Sequence, residues 1–392
     1  MTRNRKIQRK KSGKVYSPDY TIILLTVMFL LFGLIMIFDA SIYKADEVFN
    51  DRFHFVIQQV IWVIVGTVVA AVFYFWDYHS FSKLALPAVI VSIVLLIVVL
   101  FVGTEVNGSK RWFLLGPVPI QPAEFAKLAF ILYLASWLSK EKKYFKHFRD
   151  AWKHHFWQEL LTFLFVLLSI CGLIILEPDL GTTIVIAMSS FVIYFSSGKD
   201  FVHLIGTFLI VLVGGILGTA AALLESYRLE RVKTYLQLLL TGEVADPRGT
   251  GYQIQQILIG IGSGGFWGKG FGQSRQRFGY LVENTAFTDS IYAIILEEMG
   301  MLGGLVLISL FILFFLRAYQ IAKNSPDKLG SLLAGGIGFW LVFQAFVHMG
   351  ANVAMMPLTG VPLPFFTYGG SSTVVALAGV GMLLNVSKYA KK

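Results

Sequence analysis

The strongest constraint on the fold is a series of long apolar stretches. The first of them, 20–38, runs for 19 residues without a charge. A helix needs roughly 20 apolar residues to cross the hydrocarbon core of a bilayer. Ten stretches approach this length: 20–39, 55–76, 84–102, 122–138, 159–176, 180–198, 201–224, 290–317, 329–353 and 371–388. The pattern predicts an all-α integral membrane protein with about ten transmembrane helices.

Composition and charge agree with this fold class. The 392 residues are 56% hydrophobic and only 14% charged, whereas soluble domains carry about 25% charged residues. We expect a basic tail, 1–17, followed by a single polytopic domain, 18–392. The net charge of +10 is unevenly placed, which favours a membrane protein over one that binds nucleic acid. The single cysteine, Cys171, excludes a disulfide framework and a cysteine metal site.

Loop charge predicts the orientation. An even number of spans puts both termini on one side, and cytoplasmic loops carry the excess of Lys and Arg. The tail and the inner loop "KEKKYFKHFRDAWK" are strongly basic. Both termini are therefore expected in the cytoplasm. A long loop, about 225–288, is then expected on the outer side between helices 7 and 8.

Two glycine motifs in the long loop resemble nucleotide-binding signatures. "GIGSGG" lacks a βαβ unit, and "SGGFWGKG" lacks the final Ser or Thr of a phosphate-binding loop. An outer loop would not meet cytoplasmic nucleotide. We expect these glycines to allow close backbone packing against a membrane surface or a substrate.

The segment "QPAEFAK" has a helix-start signature. Gln121 occupies the cap position, a proline follows it, and Glu124 lies in the first turn. Lys127 lies three residues after Glu124 and shares its face. An ionisable residue within an apolar span is a functional candidate. Arg111 adds a cation in the preceding loop.

Two further motifs have open interpretations. Asp179 in "LEPDLGTT" fits a helix cap or a functional carboxylate, and the two roles are compatible. Arg228 and Arg231 in "SYRLERVK" fit an amphipathic surface segment or a site for an anionic headgroup.

The segment "PLTGVPLPFFTYGGSSTVV" predicts broken backbone at membrane depth. Non-helical backbone survives there only when protein buries it or when it lines a cavity. Ser371 and Ser372 are placed to cap the tenth helix. With the preceding motifs, this indicates an outward-facing polar cavity for an amphiphile with an anionic phosphate head. Residue chemistry alone does not choose between transporting such a lipid and reacting with it.

Asp289 stands ahead of the eighth span, in "TDSIYAIILEEMG". Its type and position fit a helix cap about as well as a catalytic carboxylate. On a regular helix Glu297 lies about 80° and Glu298 about 180° from Asp289. We therefore expect Glu298 to lie away from any site at Asp289.

Five segments in order resemble the SEDS family (shape, elongation, division and sporulation): "NGSKRWFLLGPVPIQPAEFAK", "EPDLGTT", "GYQIQQILIGIGSGGFWGKGFGQS", "TDSIYAIILEEMG" and "GVPLPFFTYGGSS". The segment "GFGQSRQRFGYL" resembles the division member, FtsW, more than the elongation member, RodA. The resemblance implies a multi-pass enzyme of the bacterial cytoplasmic membrane, located at the septum. It implies polymerisation of lipid II into glycan strands, alongside a class B penicillin-binding protein and other division proteins.

The resemblance also implies residue roles. Asp289 is the essential carboxylate, and Asp179, Glu124, Lys127 and Arg111 match conserved-motif positions. We expect Asp289 to act as general base in an inverting transfer. Cationic side chains, including Arg228 or Arg231, would stabilise the diphosphate.

Several expectations accompany these roles. Ser371 and Ser372 are expected at the substrate site. A divalent cation, Mg²⁺ or Mn²⁺, is compatible with this chemistry. The segment "ENTAFTD" departs from the family's usual "PEAHTD", which weakens any role for Glu283. The alternatives are a lipid II flippase, an elongation polymerase and a scaffold.

Overall fold

A computed structural model describes residues 15–106, 109–115, 118–140, 157–198, 251–278 and 285–391, with single positions between 208 and 242. Its α-helices in the continuous ranges are α1 (Tyr20–Phe49), α2 (His54–Phe75), α3 (Phe81–Val102), α4 (Pro122–Leu138), α5 (Trp157–Leu176), α6 (Leu180–Ser196), α7 (Tyr252–Gly264), α8 (Ile291–Asn324), α9 (Lys328–Asn352) and α10 (Gly370–Ser387). Most of the expected seventh span, 201–224, lies outside the described residues, as do Arg228, Arg231 and Glu283.

The structure confirms a helical, multi-pass membrane protein. Seven described helices are long and apolar enough to cross a bilayer, and α6 is a shorter apolar helix. The most apolar windows of α9 and α10 are 72% and 83% buried, whereas that of α2 is only 11% buried. Helices α9 and α10 therefore form the centre of the bundle, and α2 faces outward. The exact number of spans and the side of each terminus stay predictions.

The two ends of the described chain lie together. The backbone N–H of Tyr16 donates to the carbonyl of Lys388 at 2.7 Å, and that of Asp19 donates to the Ser387 hydroxyl at 3.1 Å. Lys391 N–H donates to the Asn324 carbonyl, at the end of α8. We call this end of the bundle the tail end. An even number of spans requires this arrangement.

A small sheet connects α3 to α4 at the other end of the bundle. Strands β1 (Thr104–Val106), β2 (Ser109–Leu115) and β3 (Val118–Ile120) pair antiparallel in that order. β3 leads directly into Gln121, the N-cap of α4, and Pro122 is the first helical residue. The predicted helix start is confirmed, and the sheet sets the direction in which α4 enters the bundle.

Helix α7 packs along the first turns of α8 in the same direction. Near its start, Gln253 Nε2 donates to Ser290 Oγ at 3.4 Å. At its end, a Cβ on Gly264 would stand 2.3 Å from the carbonyl oxygen of Leu296. The glycine segment therefore packs on a helix of the protein. At Gly264 and Gly268 the close backbone contact is with α8, and not with a membrane surface or a substrate as expected.

Helix α8 is interrupted at Gly300, where φ is 67° and ψ is −172°. The segment 265–278, which we call the α7–α8 clamp, fills the break. Its Lys269 and Gly270 N–H groups donate to the carbonyls of Glu297 and Glu298, both at 3.0 Å. Carbonyl groups that the break frees from helical bonding are thus satisfied by the clamp.

Adding one methyl group to the clamp is expected to destabilise the fold. In Gly268→Ala, the new Cβ would meet the Glu298 carbonyl oxygen at 2.1 Å, on a backbone with φ of +82°. Overpacking of this kind costs about 1–3 kcal/mol. The unfolding temperature of the purified protein in detergent should fall.

Gly262→Ala is the matched control, because nothing lies within 4 Å of a Cβ at that position in α7. Equal unfolding temperatures for the two variants would contradict the close packing of the clamp on α8.

Candidate functional site

Asp289 lies in the turn that precedes α8, at the end of the bundle opposite the tail end, and is half-buried. Ser290, and not Asp289, holds the N-cap position, and its side chain makes no capping hydrogen bond. The alternative in which Asp289 is the helix cap is therefore wrong. The carboxylate faces the backbone of Gly360: a Cβ built there would stand 3.8 Å from Asp289 Oδ2.

Asn352, the last residue of α9, fixes the backbone at Asp289. Its Nδ2 donates to the Asp289 carbonyl at 2.8 Å, and its Oδ1 accepts from Ala293 N–H at 3.3 Å. The same Nδ2 also donates to the His348 carbonyl at 3.0 Å. Asn352 is 1% exposed. A buried side chain therefore ties the start of α8 to the end of α9.

The segment 357–364, which we call the proline loop, is the non-helical backbone expected from the sequence. His348 Nδ1 donates to the Val361 carbonyl at 2.7 Å, and Gln344 Nε2 donates to the Pro362 carbonyl at 2.9 Å. The other side of the loop lies on the start of α6, where a Cβ on Gly181 would come within 2.3 Å of Val361. The loop thus lies between Asp289 and the α6 N-terminus, with Val361 and Leu363 buried and Gly360 exposed.

Asp179 caps α6. Its Oδ1 accepts from Thr182 N–H at 2.9 Å, and its Oδ2 accepts from the Thr182 hydroxyl at 2.8 Å. Gln121 Nε2 adds a longer contact at 3.4 Å. The cap role is confirmed. The carboxylate is 6% exposed and is turned toward the protein, so a direct substrate contact stays a prediction.

Arg111 connects β2 to the turn between α5 and α6. Its Nε and Nη2 donate to the carbonyls of Glu177 and Pro178, both at 2.6 Å. Arg111 is half-buried, and its Nη1 has no hydrogen-bond partner in the described part of the chain. One edge of the guanidinium is thus used for structure, and the expected binding of an anion by Arg111 stays a prediction.

Glu177 is fully buried next to Arg111. Neither carboxylate oxygen has a hydrogen-bond partner among the residues that the structure describes. Burial raises the pKa of Glu177 to about 8; the neighbouring charge of Asp179 adds to this rise, and Arg111 opposes it. Sequence reasoning did not single out Glu177, although it shares the "EPD" motif with Asp179.

Glu124 and Lys127 form a buried ion pair. Lys127 Nζ lies 2.8 Å from Glu124 Oε1 and also donates to Gln344 Oε1 at 2.8 Å. Trp340 Nε1 donates to the same Gln344 oxygen at 2.9 Å. Lys127 is 1% exposed, so its contacts are with protein. Its expected role at a diphosphate stays a prediction, and the pair instead supports Gln344 beneath the proline loop.

Glu297 and Glu298 lie away from Asp289 and hold the α7–α8 clamp. Glu297 accepts from Lys269 Nζ and from the Ser274 hydroxyl, both at 2.6 Å. Glu298 Oε1 accepts from Ser274 N–H at 3.1 Å. Both acids are buried, and the Glu298 carboxyl contacts the clamp. The two carboxyl groups thus hold the clamp on the broken helix.

The two serines of α10 do not cap it. Gly369 is the N-cap, and no side chain makes a capping hydrogen bond there. Ser371 Oγ accepts from Gln121 N–H at 3.1 Å, which joins α10 to the start of α4. Ser372 Oγ donates to the Gly369 carbonyl at 3.2 Å. The expected capping role is wrong, because the helix begins at Gly370, two residues earlier than a Ser371 cap requires.

A family model described as "Cell cycle protein", for FtsW, RodA and SpoVE proteins, matches residues 20–392. The chain belongs to the SEDS family. It is 37% identical over 385 residues to stage V sporulation protein E of Bacillus subtilis, with 96% of this chain and 99% of the relative covered. It is 36% identical over 371 residues to "Probable peptidoglycan glycosyltransferase FtsW" of Haemophilus influenzae, with 94% and 90% covered.

Solved structures agree with this membership. A chain of a peptidoglycan synthase complex that coordinates polymerization and crosslinking is similar with a TM-score of 0.73 and 28% identity, covering 94% of this chain and 97% of that one. The rod shape determining protein RodA of Thermus thermophilus is similar with a TM-score of 0.67 and 27% identity, covering 95% and 98%. The SEDS fold and the likeness to FtsW expected from the motifs are confirmed.

The SEDS motifs do not include two of the residues that organise this site. Gln344 and Asn352 lie four residues on either side of His348 on α9. Three polar side chains at this spacing share one helix face. That spacing is the signal in the sequence that points to these residues.

No metal cluster supports the expected cation. In the continuous ranges that the structure describes, no group of three or more His, Cys, Asp or Glu side chains is arranged to hold a metal ion. The divalent cation therefore stays a prediction.

Neutralising Lys127 alone is expected to destabilise this SEDS protein strongly. Lys127→Met leaves Glu124 buried without its partner, and breaking a buried ion pair costs about 3–5 kcal/mol. The double variant Lys127→Met/Glu124→Gln removes both charges and should recover much of the loss. Unfolding temperatures of the single and double variants measure the difference. Equal decreases in unfolding temperature for the single and double variants would contradict a stabilising Glu124–Lys127 pair.

Glu177→Gln is expected to change how stability depends on pH. Folded Glu177 keeps its proton up to about pH 8, whereas the unfolded chain loses it near the ordinary value of 4.5. The contribution of Glu177 to the free energy of unfolding is therefore present in full below about pH 4.5, and it is lost progressively as the pH rises toward 8. Glutamine cannot ionise, so the variant should unfold at a higher temperature than the wild type at pH 8, with no such gain at pH 4.5.

Glu105→Gln, at an exposed position on β1, is the control for the loss of one acid near this site. A pH-independent difference between Glu177→Gln and the wild type would contradict the buried, protonated Glu177.

Proposed function

We propose that this protein is a peptidoglycan glycosyltransferase that polymerises lipid II at the outer face of the cytoplasmic membrane. Its relatives carry that enzyme name, and one structural neighbour belongs to a peptidoglycan synthase complex. The observation that carries the proposal is Asp289, a half-buried acid whose backbone is fixed from α9.

Asp289 is the general base of the proposed reaction. It takes the proton of the GlcNAc 4-hydroxyl of lipid II while that oxygen attacks the anomeric carbon of the lipid-linked strand. The bond from this carbon to the diphosphate breaks, and the lipid diphosphate leaves with the bonding electrons. Attack from the opposite face inverts the anomeric centre. This chemistry needs one positioned base and no nucleophilic carboxylate pair.

The unused edge of Arg111 suits the departing diphosphate. A guanidinium binds phosphate through a planar fork of N–H groups, and charge developing on the leaving group strengthens that interaction in the transition state. Arg228 and Arg231 are proposed to add cations from the segment that follows the seventh span, and Ser371 and Ser372 to lie near the substrate. Mg²⁺ or Mn²⁺ would supply further positive charge.

The partner proposed for the enzyme is a class B penicillin-binding protein, which crosslinks the strands. Support comes from the structural neighbour, a complex that coordinates polymerization with crosslinking. The likeness to FtsW and to stage V sporulation protein E supports a role at a septum with other division proteins.

Asp289→Asn tests the proposal. The isosteric amide cannot accept the proton, so lipid II polymerisation by the purified protein should fall by about 10²–10⁴-fold. Glycan products formed from lipid II added in detergent are separated by gel electrophoresis. Asp77→Asn is the control, because Asp77 is an exposed acid near the tail end.

The alternatives give different results in the same assay. A flippase or a scaffold makes no glycan from lipid II in detergent. Wild-type polymerisation by a folded Asp289→Asn would rule out the assigned base.

A further inference from the structure

Three buried polar residues follow one face of α9. Gln344, His348 and Asn352 are spaced four residues apart and are 1–2% exposed. We call them the α9 polar stripe. Burying a polar group costs free energy unless it is hydrogen-bonded, so the stripe must have partners. Its partners are the two pieces of backbone that face each other at the proposed catalytic site.

One end of the stripe supplies a cap that α8 lacks. A capping side chain normally accepts a hydrogen bond from the N–H of the second or third helical residue. Ser290, at the cap position, makes no such bond. Asn352 Oδ1 accepts instead from Ala293, the third helical residue, while Nδ2 donates to the carbonyl of Asp289. One amide therefore holds the chain on both sides of the helix start.

The rest of the stripe holds the opposite wall. His348 and Gln344 donate to the carbonyls of Val361 and Pro362, the two residues after Gly360. The Gly360 backbone is the surface that the Asp289 carboxylate faces. A single rigid helix thus fixes the Asp289 backbone and the proline loop relative to each other.

We propose that Asn352 is a positioning residue for Asp289: its amide sets where the carboxylate stands relative to the proline loop and hence to the attacking hydroxyl. This inference rests on the proposed function. Displacement of a catalytic group by about 1 Å costs up to about 100-fold in rate. Asn352 does not touch the reacting atoms, so its loss should lower kcat without weakening lipid II binding.

The test compares Asn352→Ala with Asn385→Ala. Asn385 is a second fully buried asparagine, near the tail end, whose Nδ2 donates to the carbonyls of Phe73 and Tyr74. Both variants lose a buried amide that joins two helices. We expect Asn352→Ala to lower kcat for lipid II polymerisation by about 10- to 100-fold, with KM changed less than about threefold. Asn385→Ala should keep both constants per folded molecule.

A double variant tests whether Asn352 acts through Asp289. If it does, adding Asn352→Ala to Asp289→Asn lowers the residual rate no further, because the base is already lost. Parallel losses of kcat in the two asparagine variants would overturn the inference, as would an unchanged kcat in Asn352→Ala. Wild-type activity in Asp289→Asn would instead overturn the proposed function, and the inference with it.

Discussion

The requirement that backbone polar groups be satisfied inside an apolar bundle governs this structure. Two segments leave regular helix within it: the proline loop and the break at Gly300. Water is not available to such groups in a bilayer, so protein must supply their partners. Side chains of α9 serve the proline loop, and backbone groups of the α7–α8 clamp serve the break. The proline loop is thus held by α9, and the break at Gly300 is held by the clamp.

The buried charges follow the same requirement. Lys127 is paired with Glu124, Lys269 with Glu297, and Arg277 with Asp39 of α1. Each pair joins segments that are distant in the chain or supports one that is not helical. Asp289 differs from these acids because it is half-buried at the rim. The charges inside the bundle therefore hold the scaffold, and the acid proposed as the base lies at its edge.

Local signals predicted local structure well. The start of α4 at Gln121 and Pro122 and the Asp179 cap were readable because capping depends on residues within one turn. The apolar stretches predicted most helices because spanning a bilayer fixes their length. The placement of Asp289 ahead of a long helix was likewise visible, although the residue at the cap position was not.

Contacts between distant segments could not be predicted in this way. Strands of three residues, such as Thr104–Val106, are too short to show an alternating pattern. A lone glycine in an apolar run is compatible with a continuous helix, so the break at Gly300 was not predicted. Whether the ammonium of Lys127 meets Gln344 or a substrate depends on how α4 and α9 pack, which no single motif encodes.

The break at Gly300 divides α8 into two mechanical units. The upper unit, which begins next to Asp289, accepts backbone hydrogen bonds from Lys269 and Gly270 of the clamp. The lower unit donates from the N–H groups of Met301 and Leu302 to clamp carbonyls, and it continues to Asn324 at the tail end. The clamp is therefore bonded to α8 on both sides of Gly300, and it holds the two units together across the break. The position of the Asp289 carboxylate therefore depends on α7 and the clamp, which precede it in sequence, as much as on α8, which follows it.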